Sequence, residues 1–305
     1  MSVHGWIVLD KPLGLGSTQA VSAVKRALRQ GGHGKAKVGH GGTLDPLATG
    51  VLPIALGEAT KLAGRMLDAT KTYDFTVQFG RQTDTLDREG QVIATSPVQP
   101  EPGAVARVVA ERFTGVIEQV PPAYSAILID GRRAYDRARD GEDIDMPTRT
   151  VTILHWGAIH EAQVDDERTA TLTVTVSKGT YVRSLARDIA LALGTVGHVT
   201  MLRRVRAGPF ALAQAISLDN LDAIAKGASL ELMILPLEAG LDDIPALDLD
   251  PEQARAVRQG RVLTGLPQSD GLWLARSGMV PVALVALADG AMRVERGFNF
   301  PDVAE

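Results

Sequence analysis

The sequence predicts an α+β fold: a large domain around a mostly antiparallel mixed sheet, followed by a small β-rich module. Three observations point there. Alternation of apolar and polar residues marks half-buried strands at 71–80, 148–164 and 169–182, whereas apolar stripes at helical spacing mark 17–30, 58–70, 102–115 and 183–194. Strands come in runs between helices without regular βαβ alternation, which argues against a parallel doubly wound sheet. The chain has 305 residues, 45% hydrophobic and 22% charged, enough for one large domain and a smaller one.

Taken in order, "GWIVLD" (5–10) is a short buried strand ended by Lys11-Pro12, and "STQAVSAVKRALRQ" (17–30) is a helix capped by Ser17 or Thr18. The glycine-rich tract 31–34 stops that helix. "GVLPIALG" (50–57) reads as strand, "EATKLAGRMLDAT" (58–70) as helix, and "KTYDFTVQFG" (71–80) as a strand expected to pair with "GQVIATS" (90–96). A helix at 102–115 closes on Gly115, the strands 148–164 and 169–182 form a hairpin, and the next helix ends at Gly194. The acidic, proline-punctuated "GLDDIPALDLDP" (240–251) reads as a linker, dividing the chain into a domain over 1–239 and a linker plus module over 240–305. On this division a chain ending near Gly240 is expected to fold alone, unless Val282, Leu284 and Val285 pack on the larger domain.

There is no cysteine, so disulfides, thiolate nucleophiles and cysteine-ligated zinc are excluded. The N-terminus lacks the pattern of a signal peptide, and no apolar run reaches the roughly 20 residues of a spanning helix, so a cytoplasmic protein without membrane association is expected. The net charge of −4 argues mildly against nucleic acid. It is unevenly spread: residues 242–305 carry ten acids against six arginines, and residues 1–241 are neutral with basic clumps at 25–37, 131–139 and 203–206.

The segment "GHGGTLDPLATG" (39–50) sets a single acid, Asp45, among four glycines. Glycines of this density let another backbone or a ligand approach closely. A P-loop is excluded, because Ala36 follows Gly34-Lys35 and Arg29 stands where the first glycine belongs. A dinucleotide fingerprint is misplaced relative to the strands. A glycosidase pair using Asp84 and Asp87 stays open, as does a carboxylate that works alone as nucleophile or charge stabiliser.

"GHGGTLDPLATGVLPIALGEATK" (39–61) resembles the catalytic signature of the tRNA pseudouridine synthase B (TruB) family. Four more stretches agree in order: "LDKPLGLGST" (9–18), "RQTDTLDREG" (81–90), "QVPPAYSAILIDGRRAYDRARDG" (119–141) and "SKGTYVRSLARDIALALGTVGHVTMLRR" (177–204). The resemblance implies a pseudouridine-synthase-like catalytic domain with, more weakly, a PUA-like C-terminal module. It implies isomerisation of the T-loop uridine at tRNA position 55 by base flipping, without cofactor or metal and without an obligatory protein partner, the protein acting as a monomer. An RNA-folding chaperone that binds the same arm is the reading from another class; the two are compatible.

By this resemblance Asp45 is the catalytic aspartate, Arg183 holds it ionised, Tyr73 stacks on the flipped uracil and handles the proton at carbon 5, and Tyr181 and Leu202 line the pocket. His40 enters the space the uridine vacates. Lys11, Lys61 and Lys178 serve backbone phosphates or fix the loop. Three positions depart from the family pattern: Gly41 stands where many members carry Thr, Gly16 where Ser or Thr is frequent, and Leu128 where Lys is usual.

Overall fold

A computed structural model describes residues 3–164, 167–227 and 230–300. The chain opens with β1 (Gly5–Lys11), α1 (Ser17–Gln30), β2 (Val38–His40), β3 (Ala48–Leu56) and α2 (Ala63–Asp68). Then come β4 (Lys71–Phe79), β5 (Arg81–Thr83), β6 (Val92–Thr95), α3 (Ala104–Arg112) and β7 (Gly115–Gln119). A small hairpin of β8 (Leu128–Ile129) and β9 (Arg132–Arg133) precedes α4 (Ala134–Arg139). The long β10 (Arg149–Val164) and β11 (Glu167–Val176) follow, then α5 (Val182–Ala192), β12 (Gly197–Ala207), β13 (Phe210–Ala211) and α6 (Leu218–Gly227). The C-terminal part holds β14 (Ala246–Asp248), α7 (Pro251–Arg258), β15 (Leu263–Thr264), β16 (Gly271–Ser277), β17 (Val280–Ala288) and β18 (Ala291–Gly297).

The main sheet runs β1-β3-β12-β4-β11-β10-β7, with β2 added to β3 and β13 to β12. Its pairings are antiparallel except one: β12 lies parallel to β3, with Leu202 opposite Ala48 and Arg204 opposite Gly50. Alternation along β4 explains its placement. Phe75, Val77 and Phe79 are buried beneath α3 and α5, while Thr72, Asp74 and Thr76 on the other face meet Thr175, Thr173 and Thr171 of β11 through side-chain hydrogen bonds. A second core packs α1 and α6 on β1 and β3 through Val24, Leu28, Leu52, Ile54 and Leu221. Tyr73 and Leu202 pack against both cores, so a cleft forms where they meet.

Three expectations are corrected. Residues 92–95 pair with β5, not with β4, because β4 is already flanked on both sides by β11 and β12. Gly16 is the N-cap of α1, and Ser17, buried inside the first turn, is used elsewhere. The linker is also shorter than its composition suggests, since Ala246–Asp248 already pairs in parallel with β16. Among the described residues, no helix is long and apolar enough to cross a membrane.

The C-terminal strands form their own five-stranded sheet, β14-β16-β17-β18-β15, with a core in which Val282 and Val285 take part. Leu284 is different. With Leu274 and Phe298 it packs against Trp6, Val8 and Val51 on the face of β1 and β3 turned away from α1. Asn299 N–H donates to Glu58 (2.7 Å), and the His4 and Phe300 rings meet edge-on at 5.0 Å. The module therefore covers apolar surface of the main domain. A chain truncated after Gly240 is expected to bind hydrophobic dyes and melt at lower temperature than the full chain. Leu284→Ala should cost about 2–5 kcal/mol, the range for a buried leucine. In chemical denaturation both parts should then unfold in one transition; an unchanged main-domain midpoint in Leu284→Ala would show that the seam carries no stability.

Candidate active site

The loop that carries Asp45 is fastened by side chains with buried polar ends. Ser17 Oγ accepts from Leu44 N–H (2.8 Å) and donates to the Leu44 carbonyl (2.9 Å). Arg204, 1% exposed, donates to the carbonyls of Val51 (2.7 Å), Gly42 (3.0 Å) and Thr43 (3.3 Å). Lys11 Nζ, fully buried, donates to Leu15 (2.6 Å), Pro12 (3.1 Å) and Pro46 (3.3 Å). Two glycines permit this packing. Gly50 has φ +100°, and a Cβ there would stand 2.2 Å from the Arg204 carbonyl; a Cβ on Gly41 would stand 2.6 Å from Met66 Cβ. The departure from threonine at 41 thus matches the close approach of Met66.

Asp45 emerges half exposed, with Oδ2 2.9 Å from Arg183 Nη2. Its Oδ1 makes no hydrogen bond among the described residues, and the side chain is part of the cavity lining. Arg183 comes from the first turn of α5 with its side chain only 7% exposed, and it also donates to the carbonyls of Thr85 (2.8 Å) and Tyr124 (3.0 Å). A second carboxylate, Asp87, lies 3.6 Å away, fixed by Thr85 Oγ1 (2.6 Å) and Glu89 N–H (3.0 Å). Asp84 instead accepts from Gln91 N–H (2.9 Å) and the Tyr124 hydroxyl (3.4 Å). Asp84 serves the 81–91 turn; Asp87 serves the arginine.

Asp45, Tyr73, Tyr181, Arg183 and Leu202 line one cavity of about 330 Å³, together with Lys71, Ser125, Arg149 and Arg204. Tyr181 is held by the buried Gln119, whose amide accepts from Tyr181 N–H (2.8 Å) and donates to its carbonyl (3.2 Å). Leu202 reaches the site through the parallel contact with Ala48. Ser125 is buried and its Oγ has no hydrogen-bond partner among the described residues. This combination of one available carboxylate oxygen, a buried arginine, two tyrosines and an apolar wall can admit a planar base and attack it or the sugar that carries it.

The remaining predicted residues lie outside this lining. His40 ends β2, its Nδ1 accepting weakly from Gly42 N–H (3.4 Å); burial, and then the Arg204 charge, lowers its pKa, which favours the neutral ring. Lys11 fixes the loop, as described. Lys61 pairs with Glu58 (2.6 Å) and donates to the Gly297 carbonyl (2.8 Å), placing it at the seam with the C-terminal sheet. Lys178, exposed, pairs with Asp68 at 3.0 Å. The basic clumps divide similarly. Arg132 and Arg137 are engaged by Asp130, Asp140 and Glu142, Arg203 is bound by Asp10, and Arg204 is interior, so runs that read as phosphate-binding are partly structural. Leu128 lies in a two-residue strand, 66% exposed. Ser17, Gln119 and Arg149 are further site residues that sequence reasoning missed. Their partners are 27, 62 and 32 or 30 residues away, apart from any local signal.

The fold and site define a pseudouridine synthase. A chain in a solved H/ACA ribonucleoprotein bound to a substrate RNA containing 2'-deoxyuridine superposes with a TM-score of 0.71 at 26% identity, over 99% of this chain and 87% of that one. The sequence profile described as TruB family pseudouridylate synthase (N-terminal domain) matches residues 26–182, and that of the tRNA pseudouridylate synthase B C-terminal domain matches 183–242. The chain is 68% identical to tRNA pseudouridine synthase B of Novosphingobium aromaticivorans (99% of this chain, 100% of the relative) and 54% identical to that of Zymomonas mobilis (98% and 97%). It belongs to the TruB family.

Lys11 and Lys71 give the site a measurable pH signature. Lys71 Nζ donates to the Met66, Leu67 and Ala69 carbonyls, and burial lowers both ammonium groups from the ordinary 10.5 to about 8. Between about pH 8 and 10.5 the unfolded chain therefore binds more protons than the native one, so these groups make stability rise with pH across that window. In Lys71→Met three carbonyls lose a buried donor, with an expected loss of about 1–3 kcal/mol at pH 7. Urea titrations at pH 7.5 and 9.5 should show a smaller rise for the variant; an equal rise would contradict the assignment.

Proposed function

We propose that the protein isomerises uridine to pseudouridine at T-loop position 55 of tRNA, acting alone in the cytoplasm. The observation that carries this reading is the Asp45–Arg183 pair at 2.9 Å on the wall of a cavity also lined by Tyr73, Tyr181 and Leu202. The family and the names of the relatives support RNA uridine as substrate.

The chemistry needs a base outside its stack, which costs a few kcal/mol that stacking and exclusion of water must offset. Tyr73 and the Leu202 wall supply that surface. Asp45, held by Arg183 through Oδ2, presents Oδ1 to the uridine or its ribose as the bond between N1 and C1′ breaks. The freed uracil turns within the cavity and rejoins through carbon 5, whose proton passes to a base for which the Tyr73 hydroxyl is the nearest candidate by resemblance. His40, at the root of the loop, fills the place the uridine leaves. The C-terminal sheet acts as a PUA-like module for parts of tRNA beyond the T arm.

Asp45→Asn preserves size and hydrogen bonding but removes the charge. It should fold, bind a T-arm stem-loop, and lose turnover by roughly 10⁴-fold or more, the scale of losing a nucleophile. Tyr73→Phe should retain binding and lower kcat by roughly 10²–10⁴-fold if the hydroxyl handles a proton. Mapping pseudouridine in unmodified tRNA transcript tests the whole reading: Asp45→Asn turning over near the wild-type rate would overturn the nucleophile, and product elsewhere than position 55 would overturn the target.

A further inference from the structure

The cations lining the cavity are unequally committed. Arg183 is bound to Asp45 and Asp87, Arg204 spends its donors on three carbonyls, and Lys71 donates to three others. At the rim, Lys178 is neutralised by Asp68. Arg149 alone in this group, among the described residues, is held neither by a carboxylate nor by a set of carbonyls. Its single hydrogen bond is a long one, from Nη1 to the Gly179 carbonyl at 3.3 Å.

Its position is nonetheless defined. Arg149 is the first residue of β10, opposite Gln119 in the ladder with β7. Gln119 grips the backbone of Tyr181, and the Arg149 guanidinium lies over the ring of Tyr181, 5.5 Å from its centroid. A half-buried guanidinium is thereby held one aromatic ring away from the base cavity, with most of its donors free.

We propose that Arg149 forms a phosphodiester subsite at the mouth of the cavity and receives a backbone phosphate next to the flipped nucleotide. The proposal rests on the reading that RNA is the substrate. Uracil is neutral and offers no reason for an uncommitted cation, whereas a nucleotide turned into the cavity carries phosphates on both sides that must stay near the rim. The planar fork of arginine matches two oxygens of a phosphate, and its stacking on Tyr181 preorganises it at little entropic cost. The 177–180 turn adds to the same wall, with Ser177, Gly179 and Thr180 lining the cavity and presenting no acid that would repel the anion.

The test compares Arg149→Met, which can still cover the tyrosine ring without charge, and Arg149→Lys, which keeps the charge without the fork. Affinity for a T-arm stem-loop is measured across a salt series, independently of turnover. With Arg149→Met, Kd should rise about tenfold at low salt, and the slope of log affinity against log salt should become shallower by about 0.7–0.9, the loss of one phosphate contact. Arg149→Lys should keep the wild-type slope and recover part of the affinity. An unchanged slope in Arg149→Met would overturn the subsite and leave Arg149 as a brace for Tyr181. If Arg149→Met melts early, Arg149→Gln replaces it with the same expectations. Absence of pseudouridine formation by the wild-type protein would count against the functional reading, whereas the slope reports on the subsite alone.

Discussion

The structure depends on how the Asp45 loop is held. A glycine-rich segment has high conformational entropy when free, and a reacting carboxylate displaced by even an ångström loses much of its value. Here the loop is tied from outside itself: Ser17 at Leu44, Arg204 at Gly42 and Thr43, and Lys11 at Pro46. Glycines in this setting are a packing requirement as much as a source of freedom, since a side chain at 41 or 50 would collide with Met66 or the Arg204 backbone. The loop is permissive in sequence and restrained in structure.

That restraint follows from one irregularity of the sheet. If every pairing were antiparallel, β3 would not lie alongside β12 in the sense that brings Leu202 to Ala48 and Arg204 to Gly50. The single parallel contact joins the core beneath α5 to the core beneath α1, and Tyr73 and Leu202 sit on the join. Arg183 reaches the site from α5 and Asp45 from the α1 side, so the ion pair spans the cleft where the two cores meet. Catalytic geometry and the coherence of the main domain are the same set of contacts.

Periodic features were legible in the sequence. The strand at 71–80, the hairpin of β10 and β11 and the α5 helix carry period-2 or helical patterns over nine or more residues; burial follows them along β4, β11 and α5, whereas in β10 the alternation is broken by register shifts after Ile153. Asp45 stood out because it is the one acid in its loop, the resemblance of five blocks supplied Arg183, Tyr181 and Leu202, and that of the strand "KTYDF" just before the third block supplied Tyr73. What was illegible was pairing at a distance. The strand 92–95 looked like a partner for β4 because it is close in sequence, yet β4 is enclosed by β11 and β12. Ser17 has the composition of a helix cap, and only its neighbour Leu44 reveals its use. The run at 203–206 looked like a surface patch, but alternation along a strand turns Arg204 inward and leaves Arg203 beside Asp10.

The choice of partners for the buried cations bears on how a chain of net charge −4 can serve a polyanion. Carboxylates could have satisfied Lys11, Lys71 and Arg204, but each would have cancelled a charge beside the cavity and offered Arg183 a competitor to Asp45. Carbonyl oxygens satisfy the same donors by their dipoles and leave the full positive charge in place. The cost is visible in Lys11 and Lys71, which burial lowers to about 8, only part of it offset by the attraction of Asp45 for Lys11 and of Asp68 for Lys71. Elsewhere the acids are spent on arginines away from the site, as on the 130–142 segment and in the Arg276–Asp248 pair. Net charge then describes the surface average, whereas an approaching RNA meets a low-dielectric cleft whose walls focus the field of a few uncancelled cations.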